Sequence, residues 1–133
     1  MEESADLNDP ATWLDLAEWR LSAARSLIAD GFFDDAVSRG YYAMFYAAKA
    51  ALLTAGLTIK KHSSTVALFT QHFVRTGKVD AHFVSLLGRG QRARERSDYA
   101  PNIRIKKAEA EQVLRDAEEF VKKMRELVEA THP

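Results

Sequence analysis

The sequence contains no cysteine, which excludes disulfides, zinc–thiolate centres and thiol nucleophiles. Proline is scarce, occurring only at 10, 101 and 133, so long stretches are free to be helical. Net charge is also missing: nineteen Lys and Arg balance nineteen Asp and Glu, so any electrostatic partner must be read from local clusters. The longest apolar run, around Ala47 to Leu53, is broken by Lys49 and falls far short of the roughly twenty residues a membrane span needs. Met-Glu-Glu-Ser-Ala-Asp lacks the basic and apolar regions of a secretion signal. What is present is a chain of 133 residues, 47% apolar and 29% charged. This is the profile of one globular domain, 1–133 with a core of about 10–128, expected to be cytoplasmic and free of membrane.

Apolar residues recur at three- and four-residue steps, which predicts helices. The first starts with Asp9 as N-cap and Pro10 at the first helical position, carries Trp13, Leu16, Ala17, Ala24, Leu27 and Ile28, and stops at Gly31. The second, about Phe33 to Ala55, has a small-residue ridge of Ala36, Gly40, Ala43, Ala47 and Ala50 that admits a close neighbour. Tyr41, Met44, Phe45, Ala48 and Leu52 supply its bulk, so it should be central, with Gly56 as its stop. A basic loop, Leu57 to His62, leads to a third helix capped by Ser63 or Ser64, bearing Val66, Phe69, Phe73 and Val74 and ending at Gly77. Asp80 caps a fourth with Phe83, Leu86, Leu87 and Gly90 inward, and Pro101 ends it at Ala100. Gly88 and Gly90 each cost that helix about 1 kcal/mol relative to alanine, implying tight packing or a bend. The last helix, about Lys106 to Ala130, shows a stripe of Ala110, Val113, Leu114, Ala117, Phe120, Val121, Met124 and Leu127. Glu111/Arg115, Glu118/Lys122 and Glu119/Lys123 are its expected i,i+4 pairs. The fold class is therefore all-α, an antiparallel up-and-down bundle of four to five helices.

Between Arg89 and Lys107, seven basic residues face only Glu95 and Asp98, a basic patch on an otherwise acidic body. It suits phosphate groups or an acidic partner; the alternative is a solvated face neutralised by acidic residues of the last helix. At 100° per residue, Arg89, Arg92, Arg96 and Tyr99 share one face, while Arg94 and Asp98 form an i,i+4 pair on another. That pair is either a surface ion pair of little energetic value or a device that orients a guanidinium toward an oxyanion. On the second helix, Arg39, Tyr42, Tyr46 and Lys49 line one side; an arginine flanked by tyrosines could hold a phosphate and stack a base, or the tyrosines could simply be packing residues. The four histidines lack metal-ligand spacing, so neither a metal nor a cofactor is expected. No glycine-rich phosphate loop, serine elbow or paired catalytic carboxylates is found.

Three stretches carry a likeness to a known family: Ser38-Arg39-Gly40-Tyr41-Tyr42-Ala43-Met44-Phe45; Lys61-His62-Ser63 with Ala67-Leu68-Phe69 and Gln71-His72-Phe73-Val74; and Arg94-Glu95-Arg96-Ser97-Asp98-Tyr99. Together they resemble the HEPN family of small helical proteins, in its short stand-alone members, from about Trp13 to Leu127. The resemblance implies a homodimer and a minimal nucleotidyltransferase partner acting as antitoxin. It also implies a metal-independent ribonuclease cleft at the dimer interface. The family signature is arginine, four to six residues, then histidine. Arg94 matches the arginine, and Tyr99 stands where the histidine is expected.

Metal-free RNA cleavage needs a base for the 2′-hydroxyl, an acid for the leaving oxygen and a cation for the phosphorane. An ordinary tyrosine, titrating near pH 10, donates a proton but rarely accepts one, which leaves Asp98 or His62 as candidate bases. On an ideal helix Arg94 and Tyr99 point about 140° apart, so a shared site requires a distorted helix or a second protomer; Arg92 is the rival arginine, facing with Tyr99. The leading expectation is a dimeric module that binds RNA or a nucleotide phosphate in an arginine-rich cleft. Arg94 stabilises phosphate charge there, Asp98 holds it, Tyr99 donates a proton, and Arg39, Tyr42, Arg92 and Arg96 extend the groove. As an enzyme it would be an endoribonuclease toxin. The alternative is a non-catalytic interaction partner whose basic patch docks an acidic nucleotidyltransferase, the motif histidine being replaced by Tyr99; a third reading, which the resemblance implies, is nucleotidylation of Tyr99 by such a partner.

Overall fold

The computed structural model describes residues 6–58, 64–99, 102 and 104–131. Ser63, His62, His132 and the junction Ala100–Pro101 lie outside these, as do the expectations attached to them. Five α-helices follow in order: α1 Pro10–Ala29, α2 Phe33–Thr54, α3 Thr65–Phe69, α4 Ala81–Tyr99 and α5 Lys107–Thr131, with no strand among the described residues. They pack as the expected all-α bundle, with α2 against each of the other four.

Local chemistry explains the helix ends. Asp9 Oδ1 accepts the amide of Ala11, 3.0 Å away, and Pro10 follows at the first helical position. At the other end Gly31 adopts φ 85°, and the amides of Gly31 and Phe32 return to the carbonyls of Ile28 and Leu27, a left-handed stop that only glycine adopts without strain. Asp34 and Asp35 occupy the first turn of α2, where negative charge complements the helix dipole. Asp34 also ties the chain together, since its Oδ1 accepts the amide of Ile105 at 3.1 Å and so pins the segment that enters α5.

The small-residue ridge of α2 serves as anticipated. A Cβ at Gly40 would sit 2.9 Å from Cγ1 of Val113, so α5 approaches α2 at the one position with no side chain. Gly90 plays the same part in α4, lying under the terminal methyl of Met44, and α4 runs through Gly88 and Gly90 without interruption. Tyr41, Met44 and Leu52 of α2 meet Phe69, Phe73, Leu86, Leu87 and Phe120 in the main core. A smaller cluster of Val37, Ala93, Ile105, Ala110 and Val113 joins the start of α2 to α4 and α5.

Three expectations need correction. The third helix is not regular: after Phe69 the chain widens into a π-helical turn, Thr70–Val74, in which the amide of Arg75 reaches back five residues to Thr70 O. Phe69 and Phe73 lie 5.3 Å apart there, with Phe69 also against Phe120 at 5.5 Å, so core packing accompanies the extra residue in the turn. Ser64 stands at the N-cap position of α3 but makes no capping hydrogen bond. Finally, the i,i+4 pairs of α5 do not form among the described residues. Glu118 and Glu119 face neighbouring helices, reaching Arg25 on α1 (3.4 Å) and His82 Nε2 on α4 (2.7 Å), while Arg115 turns back within α5 to donate to Gln112 (2.9 Å).

Candidate phosphate-binding site

The arginines of α4 divide between two surfaces. Arg94 turns toward α2, where its guanidinium carbon lies 5.7 Å from the Tyr41 ring centre and 5.6 Å from that of Tyr42. The two rings meet edge to face at 5.4 Å, making a bent aromatic floor under the cation. Arg94 Nε lies 3.1 Å from Asp98 Oδ2. The N–H is not aligned as a hydrogen bond, and Nε is buried, so this contact is a charge pairing rather than a directed bond. Only 23% of the Arg94 side chain is exposed, against 36% of Asp98. Burial pushes the Tyr41 hydroxyl up to about 12, against the opposing pull of Arg94, so this ring is a neutral support.

A row of rings continues from this floor along α2 to α1. Tyr42 lies 6.0 Å from Tyr46, and Tyr46 5.6 Å from Trp13. Cations cover them: Arg20 stands 5.6 Å from the centre of Tyr46 and Lys49 stands 4.2 Å from that of Trp13. Tyr42 and Tyr46 thus pair with Arg94 and Arg20, while Arg39 points outward without a hydrogen bond, ion pair or ring contact among the described residues. Arg20 and Trp13 went unnoticed as site residues because they belong to a different helix; their spacing in α1 reads simply as amphipathic.

Arg89, Arg92 and Arg96 face α5 instead. Arg89 grips Asp116 through two bonds, Nε to Oδ2 at 3.1 Å and Nη2 to Oδ1 at 3.0 Å, and Gln112 donates to the same carboxylate at 2.8 Å. Arg96 pairs with Glu109. Arg92 has no acidic partner among the described residues; its Nη1 lies over Gly88, 3.3 Å from where a Cβ would be. The neutralised-face alternative is therefore realised at two of the three arginines. Asp116 had a signal in the sequence: a carboxylate at an apolar-face position, between Val113 and Phe120, calls for a cationic partner from a neighbouring helix.

Tyr99 closes α4 and is 77% exposed. Because α4 is regular up to that residue, Arg94 and Tyr99 remain on different faces of one chain. Asp98 is next to Arg94, whereas Arg92 and Arg96 are on the far side of the helix from it. Among the described residues no three His, Asp or Glu side chains are grouped as metal ligands, and no helix is long and apolar enough to cross a membrane.

These features define a helical bundle carrying a guanidinium mounted on tyrosines beside an acid. Comparison with known proteins gives the class a family. A family model described as the HEPN domain matches residues 11–127, and the chain belongs to the HEPN family. Among its relatives are two proteins of Methanocaldococcus jannaschii. "Putative toxin MJ0142" is 38% identical over 83% of this chain and 75% of its own length. "Putative toxin MJ0605" is 35% identical over 84% and 83%. A "UPF0332 protein" of Thermotoga maritima is 33% identical over 88% of this chain and 89% of its own.

Proposed function

We propose that this HEPN protein is a toxin-type module that binds RNA through its phosphates, as a homodimer, with Arg94 as the group that meets phosphate charge. The observation that carries this reading is the mounting of Arg94 on Tyr41 and Tyr42 beside Asp98. A guanidinium held on ring faces and paired at Nε has already lost much of its side-chain freedom, so an incoming oxyanion is met by a pre-oriented cation. The row of Tyr42, Tyr46 and Trp13 offers stacking surfaces leading away from it, and Lys49 and Arg20 supply positive charge along the way. The toxin names of the two Methanocaldococcus relatives agree with such a role.

For cleavage, the roles divide as follows. Asp98, beside Arg94, takes the 2′-hydroxyl proton as that oxygen attacks phosphorus, Arg94 stabilises charge on the phosphorane, and Tyr99, from the second copy, gives its proton to the departing 5′-oxygen, leaving a 2′,3′-cyclic phosphate. The second copy enters because Tyr99 and Arg94 occupy different faces of α4. The test is metal-free: purified protein is incubated with total RNA in EDTA beside Arg94→Ala and Tyr99→Phe. Cleavage by the parent protein, abolished in Arg94→Ala and reduced in Tyr99→Phe, is the expected result. If neither parent nor variant cleaves, a mobility-shift assay with single-stranded RNA decides the binding reading, and equal affinity of the parent and Arg94→Ala overturns it.

A second reading is a non-catalytic partner of a minimal nucleotidyltransferase, favoured by the exposure of Tyr99, which suits an acceptor hydroxyl better than a buried acid. Intact mass after co-expression with such an enzyme tests it: a shift of one nucleotidyl group, absent in Tyr99→Phe, supports it, and an unshifted mass counts against it.

A further inference from the structure

The groove between α4 and α5 is built differently from the Arg94 site and lies on another face. It is a cavity of about 290 Å³ floored by Ala93 and Val113. Its rim carries Arg89, Arg92 and Arg96 from α4 against Glu109, Gln112 and Asp116 from α5. Two guanidinium–carboxylate pairs are present, Arg89 with Asp116 and Arg96 with Glu109, which leaves the positive charge of Arg92 uncompensated between them. Asp116 is 4% exposed and receives three hydrogen bonds from Arg89 and Gln112. The Arg89 side chain is 50% exposed and commits only Nε and Nη2, so its Nη1 donors are left for a ligand. Arg115 fixes the Gln112 amide from behind by donating to its Oε1 at 2.9 Å.

We propose that this groove is a second oxyanion site that takes a phosphate group, with Arg92 as its principal ligand and Arg89 and Arg96 as flanking donors held by Asp116 and Glu109. The chemistry favours a phosphate over a lone carboxylate. The uncommitted fork of Arg92 together with the Nη1 donors of Arg89 supplies more donors than the two oxygens of a lone carboxylate use, and a doubly charged tetrahedral group engages several at once. The apolar floor displaces water from one side of the bound group and so strengthens these bonds. The phosphate comes either from an RNA backbone or from a free phosphorylated molecule. The site is independent of the ribonuclease reading, because Arg94 contributes nothing to it.

Titration with inorganic pyrophosphate at constant ionic strength, followed by NMR on the arginine Nε–H and Gln112 side-chain signals, is the test. Saturable shifts at Arg92 and Gln112 are expected, weakened about tenfold in Arg92→Ala and unchanged in Arg94→Ala. Arg92→Lys, which keeps the charge and loses the fork, should fall between. Displacement of pyrophosphate by an oligoribonucleotide without terminal phosphates assigns the site to RNA backbone. Displacement only by a nucleoside diphosphate assigns it to a free phosphorylated ligand. Non-saturating shifts spread over all basic residues, or saturable binding that survives Arg92→Ala at full strength, overturn the proposal. Since Arg92 is exposed, its loss is not expected to unfold the chain, and the unchanged spectrum of the remaining core residues verifies that.

Discussion

The two sides of α4 use the same residue type in opposite ways. Toward α2, Arg94 is largely covered, its guanidinium resting on the Tyr41 and Tyr42 rings beside a single, imperfectly aligned carboxylate. Toward α5, Arg89 is half exposed yet bonded in a bidentate fork to a buried Asp116. The first arrangement restrains a cation while leaving its hydrogen-bonding capacity underused; the second commits Nε and Nη2 to holding two helices together and leaves Nη1 uncommitted. Structural arginines and candidate ligand arginines therefore differ here less in burial than in how completely their donors are matched.

Four measurements would sharpen or break that contrast. The largest effect is expected from Arg89→Ala, which leaves the Asp116 carboxylate buried with Gln112 alone. A loss of about 2–3 kcal/mol in urea unfolding is expected, discounted from the full cost of breaking a buried pair because Arg89 itself is half exposed. A loss below about 0.5 kcal/mol would show that the α4–α5 pairing is not structural. Next comes alkaline pH. The folded chain keeps the Tyr41 proton up to about 12, whereas an unfolded chain releases it near 10, so stability is intact below pH 10 and falls as pH rises beyond it. The decline attributable to Tyr41 should reach roughly 1–2 kcal/mol by about pH 11.5 and be missing in Tyr41→Phe. Identical pH profiles for parent and variant would contradict it.

Arg94→Ala should cost about 1 kcal/mol of stability, the value of a guanidinium on two ring faces, and, under the proposed function, remove the RNA binding assigned to it. A stability loss as large as that of Arg89→Ala would erase the distinction between the two sides. Arg92→Ala is expected to change stability by less than about 0.5 kcal/mol, because the side chain is exposed and has no acidic partner among the described residues. Thermal denaturation of the two variants side by side checks both values.

Much of the bundle was legible from the chain. Asp9 and Pro10 mark the start of α1, Gly31 its end, and Gly40 a close approach of α5 to α2, because capping and steric clearance are local properties. The π-helical turn at Thr70–Val74 was not legible, since the positions of Phe69 and Phe73 against Phe120 depend on a distant helix. Leu14 and Leu21, rather than Trp13 and Leu16, form the buried line of α1, whose apolar residues spread over too wide an arc for spacing to choose among them. The site was legible in part. The i,i+4 spacing of Arg94 and Asp98 is realised, but Arg39, Arg92 and Arg96 do not join them around Tyr42, because the face a side chain shares with residues of another helix is invisible to single-helix geometry.

What the sequence determined by itself is the helical bundle, the central place of α2 and the two sets of arginines on α4, since each follows from periodicity, caps and angular spacing within one segment. Only the tertiary structure decided which acid or ring each arginine meets. A guanidinium chooses its partner by distance and desolvation, and both are set by how α2 and α5 pack on either side of α4.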